Sequence, residues 1–333
     1  MTGFRDEYLL SYKEACKIPF THCEIYPDGE LWSCCEPFFK DISFGNIFEK
    51  PFNEIWNGKT FNEFRNKMLN GDFSNCHRDL CMYSPINNID TIKNCQYPEE
   101  ILLCYDQECN YKCITCRDEI LTYSDEELKK LEHISTKNIL PIIKHVDKII
   151  FSGGDPLASR HARTLIKTVT KINPNIKINL QTQGYYLDKA NMEKLGIKKL
   201  DNVSISIHAA TRNTYNKIMR KDAFNKIMKN LKFISEGKKQ GKIGWIVLNF
   251  VVHSMNYKEM PAFVKIAEKY DATAHFWSYK PWPSAEMHKR YNEVAVFEPF
   301  HKDYPKLQKI LHNPIFKSPH CILYPELLKI AMS

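Results

Sequence analysis

The pattern of apolar and polar positions changes at about residue 100. Beyond it, short apolar runs typical of strands alternate with segments whose apolar residues recur every three to four positions, as in amphipathic helices. Residues 203–207 alternate strictly, and a helical stripe follows at Phe224, Ile227, Met228, Leu231 and Ile234. Six strands are predicted, at residues 101–105, 148–151, 176–180, 203–207, 246–252 and 273–279. Helices are predicted from a capping box at Ser124 onwards, over 157–172 and 188–196, along the Phe224 stripe, and over 258–269. Six strand–helix units in series predict an α/β fold, either a parallel sheet or a partial (β/α)6 TIM-type barrel, with its chemistry at the carboxyl ends of the strands.

The first 95 residues have no such order and are rich in Cys and aromatic side chains. Pro27-Asp28-Gly29 predicts a hairpin between two short strands, which would bring Cys16 and Cys34 together. A helix is predicted from Phe52 through Arg65. We therefore expect a small Cys-rich module over residues 1–95, the barrel over 96–283, and a C-terminal tail or lid over 284–333.

Composition narrows the class of protein. The 333 residues are 43% apolar and 26% charged, with a net charge of +8, which fits a globular protein and excludes a disordered one. There is no apolar run of the ~18 residues that a membrane span needs, and charges interrupt the first residues. We expect a cytoplasmic protein without membrane contact. No basic helix interleaved with aromatics is present, so no nucleic-acid partner is expected.

The twelve cysteines carry the candidate chemistry. Eleven precede residue 117, and in a reducing compartment such a cluster points to metal binding or redox chemistry. Cys109, Cys113 and Cys116 follow the first predicted barrel strand with C-x3-C-x2-C spacing. Three thiolates on one loop can hold three irons of a 4Fe–4S cubane, and the fourth iron then stays open for a ligand. A structural zinc loop is the alternative.

This loop and three later segments resemble the radical S-adenosylmethionine (SAM) superfamily. The resemblance makes Cys109, Cys113 and Cys116 the ligands of the SAM-binding cluster, although Thr115 stands where an aromatic residue is frequent. Ser152-Gly153-Gly154-Asp155-Pro156 resembles the Gly-Gly-Glu-Pro motif of that family, and Gln181-Thr182-Gln183-Gly184 its Thr-Asn-Gly element. The cofactor-binding residues that the resemblance implies are Gly153, Gly154, Asp155, Pro156, Gln183, Ser206, His208 and Asn249; for the last three, packing at strand ends is an equal alternative.

The N-terminal region resembles the SPASM or twitch module, which holds auxiliary 4Fe–4S clusters. The resemblance lies in the Asp28-Gly29 hairpin that leads to Cys34, in Gly45-Asn46-Ile47, and in Ile55-Trp56-Asn57. It departs from the family because the module precedes the barrel and Cys76-x4-Cys81 is widely spaced. It implies one auxiliary cluster on Cys16, Cys34, Cys76 and Cys81, with Cys23, Cys35 and Cys95 as substitutes; a zinc site on the same thiolates is the alternative. Cys104 is expected to be a buried strand residue, and Cys321 is a weak candidate hydrogen donor or ligand.

The resemblance also implies the reaction. One electron would cleave SAM into methionine and a 5′-deoxyadenosyl radical, which would abstract hydrogen from a substrate. A flavodoxin- or ferredoxin-type reductant is expected as the partner. The substrate stays open between a peptide or protein and a sugar or other small molecule; Trp245, Trp277 and Trp282 are candidates to line its site. Two other classes remain, an iron–sulfur electron carrier without catalysis and a zinc-stabilised binding protein.

Overall fold

A computed structural model describes residues 16–35, 39–40, 42–77, 81, 96–281 and 286–333. The predictions for Cys95 and Trp282 lie outside these ranges. The strands are β1 (His22–Ile25), β2 (Leu31–Trp32), β3 (Glu100–Leu103), β4 (Lys148–Phe151), β5 (Lys177–Thr182), β6 (Leu200–Ser206), β7 (Ile243–Val252), β8 (Thr273–Ser278) and β9 (Cys321–Leu323). The helices are α1 (Ile18–Thr21), α2 (Phe52–Trp56), α3 (Lys59–Leu69), α4 (Asp125–Ile134), α5 (Arg160–Ile172), α6 (Lys189–Lys194), α7 (Arg212–Met219), α8 (Phe224–Lys239), α9 (Met260–Lys269), α10 (Tyr291–Val294), α11 (Tyr304–Leu311) and α12 (Pro325–Met332). A π-helical turn (Ser135–Ile139) and 3-10 turns (Leu140–His145, Tyr257–Glu259, Glu286–Arg290 and Pro314–Lys317) complete the elements.

The described residues form two compact units. The first comprises those up to Tyr105 together with Lys129–Ile150 and Ile172–Ile176. The second comprises Asp106–Leu128, Phe151–Lys171 and Lys177–Ser333. None of the helices in the described ranges is both long and apolar enough to cross a bilayer.

The first unit contains the predicted hairpin. β1 and β2 pair antiparallel through a turn in which Gly29 has φ +85°, a conformation that favours glycine. β1 also pairs parallel with β3, from His22 opposite Glu100 to Ile25 opposite Leu103. All four β1 residues are buried, as expected for a strand with a partner on both edges. The pairing with β3 was not predicted, because nothing local to a four-residue strand identifies a partner more than seventy residues away.

Aromatic rings fill the core of the first unit. The Phe44 ring lies 4.3 Å from that of Phe61, which in turn lies 4.9 Å from Trp56. The prediction of one helix from Phe52 through Arg65 is wrong: α2 ends at Trp56, and α3 begins at Lys59 after an extended Gly58. The chain turns so tightly there that a Cβ on Gly58 would lie 2.5 Å from the Glu54 carbonyl oxygen. The break lets two short helices, rather than one long helix, present rings to the same core.

The second unit contains a parallel sheet in the order β5-β6-β7-β8-β9. One face is apolar and lies under the helices, where Phe263 of α9 packs at 4.8 Å from Phe250 of β7. Ser206 pairs with Asn249, and Val252 with Ser278, at the carboxyl ends of β6, β7 and β8. The predicted α/β fold with a parallel sheet is confirmed. The final strand, β9, was not predicted, since three residues carry too little pattern.

Local helix signals were read correctly from the sequence. Ser124 and Glu127 form the predicted capping box: the Ser124 amide donates to Glu127 Oε2 at 2.7 Å, and the Glu127 amide donates to Ser124 Oγ at 3.3 Å. Asp188 caps α6 by accepting from the Asn191 amide at 3.0 Å. The chain then leaves α6 through Gly196, at φ +72°.

Candidate functional site

The three-cysteine loop is a compact structure in the second unit. The Cys116 and Arg117 amides donate to the Cys113 carbonyl at 3.0 and 3.1 Å, so Cys113 to Arg117 form one tight turn. The Cys109 amide is held by the Leu121 carbonyl at 3.0 Å. Cys109 and Cys113 are buried, whereas Cys116 is exposed. This folding brings three thiols together at one end of the loop.

The pKa values of two of these thiols are raised by burial and by neighbouring acidic groups, an effect that a bound metal cation would oppose. Burial, then the Asp155 carboxylate and the Cys116 thiol, raise the pKa of Cys109 to about 11. Burial and the thiols of Cys109 and Cys116 raise the pKa of Cys113 still more. Among the described residues no three His, Cys, Asp or Glu side chains converge on a single-ion site. Three neighbouring thiols at separate positions are the donor set that the corners of an iron–sulfur cluster require, and binding would deprotonate them.

Gly154 lies directly against the cysteine loop. Its amide donates to the Asp106 carbonyl at 2.8 Å, and the Asp155 amide donates to the Glu108 carbonyl at 2.9 Å. A Cβ on Gly154 would lie 2.2 Å from the Glu108 carbonyl oxygen. Only glycine allows the two backbones to approach this closely. The segment that follows β4 thus fixes the position of the loop that precedes Cys109.

Asp155 ties this segment to the end of β5. Its fully buried carboxylate accepts from the Thr182 hydroxyl at 2.9 Å, the Gln183 amide at 3.0 Å and the Leu157 amide at 3.0 Å. Burial raises the pKa of the carboxyl group, and these donors oppose the shift. The side chain holds the two segments together, so a ligand here would meet their backbone groups. Pro156, also buried, follows it.

Gln183, next to Asp155 at the end of β5, has a side-chain oxygen without a hydrogen-bond partner within the described ranges. This Oε1 atom is buried. Such atoms are rare in folded proteins, because each costs about 1–3 kcal/mol when left unsatisfied. Gly184 follows at φ +81° and turns the chain away from β5. The orphaned amide oxygen is what a binding site without its ligand would show.

The polar residues of β6 and β7 share one face of the sheet. Asn249 donates from Nδ2 to Ser204 Oγ at 2.7 Å and accepts from Trp277 Nε1 at 3.4 Å. Ser206 is its neighbour in register and is half-buried. The sheet therefore presents polar groups on the side away from the helices.

His208 lies just beyond β6, in a constrained conformation. Its φ is +58°, which is uncommon for a residue with a Cβ. Its Nδ1 accepts from the Val251 amide at 3.1 Å, so the remaining proton is on Nε2. Burial lowers the pKa of His208 to about 4, and the imidazole is neutral at physiological pH.

Two residues on this polar face were missed by the sequence reasoning. His275 lies opposite Asn249 in register, and its Nδ1 lies 3.1 Å from the Tyr324 hydroxyl. Tyr324 also stacks on Trp277, with ring centroids 3.2 Å apart. The alternation along β8 places His275 and Trp277 on one face, which was a usable signal. Tyr324 lies in the C-terminal region, where no sequence pattern indicated that it would reach this face.

The tryptophans do not gather at one place. Trp245 lies near the amino end of β7, opposite Asn202, with 65% of its surface exposed. Trp277 lies near the carboxyl end of β8, beside Asn249. Of the two candidate tryptophans that the structure describes, Trp277 has the placement expected of a substrate-site residue, because ligands in such folds bind at the carboxyl ends of strands.

Cys321 is placed at the opposite end of the sheet. It pairs with Ala274, four residues before β8 ends at Ser278, and β9 runs parallel to β8. At about 3.3 Å per residue this is about 13 Å from the carboxyl end. The suggested role as a hydrogen donor does not fit this position. Burial raises its pKa to about 12, as for a packed thiol.

In the first unit, three other thiols influence the pKa of Cys34. Burial raises the pKa of Cys34 strongly, and Cys16, Cys76 and Cys81 each add to that shift after Glu24. Burial likewise raises the pKa of Cys16, and Cys81 adds to it. These four are the cysteines that the sequence grouped as an auxiliary site. The other three thiols therefore lie close enough to Cys34 to influence its pKa, although the described side chains do not converge on a single-ion site.

Three further cysteines of this unit were named in the sequence analysis. The Tyr26 hydroxyl contacts Cys35 Sγ at 3.7 Å. Cys23 is fully buried in β1, where burial and Glu24 raise its pKa while Arg65 lowers it. Cys104 was predicted to lie within a strand, but it follows β3, its amide bonded to the Ile25 carbonyl at 2.8 Å, and is half-buried.

Comparison with known proteins agrees with these features. Residues 16–82 match the family model of the SPASM iron–sulfur cluster-binding domain, and residues 107–266 match that of the radical SAM superfamily. The chain is 26% identical over 183 residues to the GTP 3′,8-cyclase of Chlorobaculum tepidum, covering 54% of this chain and 53% of the relative. It is 27% identical over 184 residues to the GTP 3′,8-cyclase of Clostridium botulinum, covering 52% and 54%. The chain thus spans about half the length of these curated relatives.

A solved structure is also similar, at lower identity. Streptococcus suis SuiB bound to S-adenosylmethionine aligns with a TM-score of 0.46 and 16% identity, over 82% of this chain and 63% of SuiB. The two family matches together span well over half of the 333 residues. The chain belongs to the radical SAM superfamily and carries a SPASM domain ahead of the barrel. The radical SAM match implies a 4Fe–4S cluster and S-adenosylmethionine as cofactors, and the SPASM match implies auxiliary iron–sulfur.

Proposed function

We propose that Cys109, Cys113 and Cys116 hold the SAM-binding cluster, and that the enzyme abstracts hydrogen from carbon in an oxidative reaction. The three neighbouring thiols on the loop fixed by Gly154 carry this proposal. When bound, the cluster supplies one electron to SAM, whose cleavage yields the hydrogen-abstracting 5′-deoxyadenosyl radical.

The surrounding residues would bind and orient SAM. Gly153 and Gly154 expose backbone groups beside the cysteine loop, and Asp155 and Pro156 hold those groups in place. Gln183 offers the unsatisfied Oε1 as an acceptor for an amine of the ligand. Ser206 and Asn249 line the polar face of the sheet, and the neutral His208 lies just beyond the carboxyl end of β6; these side chains would donate to ribose or carboxylate oxygens. Bound in this way, SAM is positioned before any electron arrives.

The auxiliary site favours oxidation over a redox-neutral rearrangement. We assign it to Cys16, Cys34, Cys76 and Cys81, because the other three thiols all contribute to the raised pKa of Cys34. Four protein ligands leave no iron open, so such a cluster serves electron transfer or structure. The substrate would lose a hydrogen atom to the radical, then a proton to solvent and an electron to this site. We retain residues 1–95, 96–283 and 284–333 as the domain boundaries.

The test of the cluster assignment is electron paramagnetic resonance of the anaerobically reconstituted, reduced enzyme. The Cys16→Ala/Cys34→Ala variant removes the auxiliary signal and leaves that of the barrel. We expect this signal to shift when SAM is added, and to vanish when Cys109, Cys113 and Cys116 are replaced. If a cluster is present at those cysteines but its signal does not change when SAM is added, the assignment is wrong.

The substrate class is tested by product analysis. GTP belongs in the first panel because the curated relatives are named as GTP 3′,8-cyclases; sugars, sugar phosphates and short peptides complete it. An oxidation consumes one SAM for each product formed, and mass spectrometry shows a product two hydrogens lighter than the substrate. A product of unchanged mass would contradict the proposed oxidation while leaving the cluster assignment in place.

A further inference from the structure

A basic groove lies between α5 and α6 of the second unit. It encloses a cavity of about 640 Å³. Five of its lining side chains are cationic and none is acidic. The cations are Arg160, Arg163, Lys167, Lys171 and Lys194. We call this surface the α5/α6 groove.

The cations on α5 form a row along one face. Arg160, Arg163, Lys167 and Lys171 are spaced three to four residues apart, so the row extends about 16 Å at 1.5 Å per residue. Like charges at this spacing destabilise a helix by about 0.2–0.5 kcal/mol per pair. α5 contains no acidic residue that would offset the repulsion. The row of cations therefore does not stabilise the fold, whereas it would stabilise a complex with an acidic surface.

Most of these charges are available to a partner. Within the described ranges, Lys167, Lys171 and Lys194 have no carboxylate at ion-pair distance. Arg163 is fixed without being neutralised, since its guanidinium donates to the Leu157 carbonyl at 2.9 Å and to Asn191 Oδ1 at 3.1 Å.

One end of the groove adjoins the cysteine loop. The Arg160 amide and Nε donate to the Glu108 carboxylate at 2.7 and 3.2 Å, and Glu108 immediately precedes Cys109. Leu157 and Ala158, which line the same end, follow the Gly153–Pro156 segment directly. A protein bound along the row would therefore lie beside the loop proposed to hold the SAM-binding cluster.

We infer that the α5/α6 groove docks the acidic face of a small one-electron donor protein. The inference rests on the proposed function and names the partner surface for its reduction step. The donor loses one electron, the cluster held by the cysteine loop gains it, and no proton or other group is transferred. Complementary charge accelerates such an encounter and makes it sensitive to salt.

Flavodoxin, a small acidic flavoprotein, is the probe, and the reconstituted enzyme is the target. The groove variant is Lys167→Glu/Lys171→Glu. The control is Lys232→Glu/Lys239→Glu on α8, which changes the net charge equally at exposed positions outside the groove. Iron content and circular dichroism establish that both variants are folded and loaded.

Two readouts do not depend on turnover. The first is the dissociation constant for oxidised flavodoxin, measured by calorimetry at low and high salt. The second is the rate at which photoreduced flavodoxin bleaches the cluster absorbance in stopped flow. We expect the groove variant to lose at least about tenfold in both at low salt, and the control to stay near wild type.

Dithionite separates the inference from the proposed function. This small reductant needs no docking surface, so the groove variant should be reduced by it, and should cleave SAM, as fast as wild type. Equal behaviour of the groove and control variants toward flavodoxin would overturn the docking inference. Failure of the wild type to cleave SAM with dithionite would instead overturn the proposed function.

Discussion

Replacing Gly154 by alanine places one methyl group where two backbones meet. Its Cβ would lie 2.2 Å from the Glu108 carbonyl oxygen and 2.6 Å from the Gln107 carbonyl carbon. Both are backbone atoms, so no side-chain rotation relieves the overlap. Gly153, at φ +96°, is the residue of this pair that has the left-handed backbone. The effect of Gly154→Ala is therefore steric and acts on the cysteine loop.

The free-energy cost of Gly154→Ala can be estimated from the overlap and from the hydrogen bonds that break when the loop moves. Overpacking of this kind costs about 1–3 kcal/mol. The two hydrogen bonds that join Gly154 and Asp155 to the loop contribute about 0.5–1.5 kcal/mol each, and moving the loop away breaks both. The sum is about 2–6 kcal/mol, enough to displace the three thiols from one another. We expect the variant to lose about four irons, those of the SAM-binding cluster, and to keep the auxiliary ones.

The assay is iron content with electron paramagnetic resonance, followed by urea unfolding. Gly241→Ala is the matched control: Gly241 has φ +69° and no atom within 4 Å of an added Cβ, so it bears only backbone strain of about 1–2 kcal/mol. We expect the control to keep both clusters. If Gly154→Ala retains a full complement of iron and a signal that responds to SAM, the close approach does not hold the cysteine loop and the reasoning fails.

Three other outcomes are expected. Cys34→Ser should remove the auxiliary cluster, because three other thiols contribute to the raised pKa of Cys34, whereas Cys35→Ser should keep it, because the proposed ligand set does not include Cys35; equal iron loss in both variants would contradict the assignment. Thr182→Val should lower the free energy of unfolding by about 1–3 kcal/mol, since it leaves the buried Asp155 short of a donor; an unchanged urea midpoint would argue against that role. Burial lowers the pKa of His208 to about 4 and that of His253 to about 3, so stability should be full above the unfolded pKa of about 6.5 and fall as pH drops toward these values. Each histidine should contribute a loss of about 2 kcal/mol between pH 7.5 and 5, and the slope should be shallower in His208→Gln; an identical slope would show that His208 is not protected in this way.

Local signals carried most of the fold prediction. The period-2 alternation of residues 203–207 gave β6, and the Ser124 capping box gave the start of α4, because both depend on neighbouring residues. The helix predicted through Arg65 failed at Gly58, where packing of the aromatic core outweighed helical periodicity. β9 and the β1–β3 pairing were missed because short strands are defined by distant partners.

Local sequence patterns indicated the candidate chemistry. The C-x3-C-x2-C spacing is a local property of one loop, and the two glycines after β4 mark a close backbone approach wherever they occur. Only the folded chain shows which of the predicted site residues lie near one another. In the fold, the Asp155 carboxylate is hydrogen-bonded to Thr182 at the end of β5. Trp245 and Trp277 lie at different ends of their strands, and Cys321 lies toward the amino end of the sheet. The fold also aligns the α5 cations along a groove that begins at Glu108. These placements depend on strand register and on which face each helix turns toward the sheet. Both are set by contacts between residues far apart in the chain.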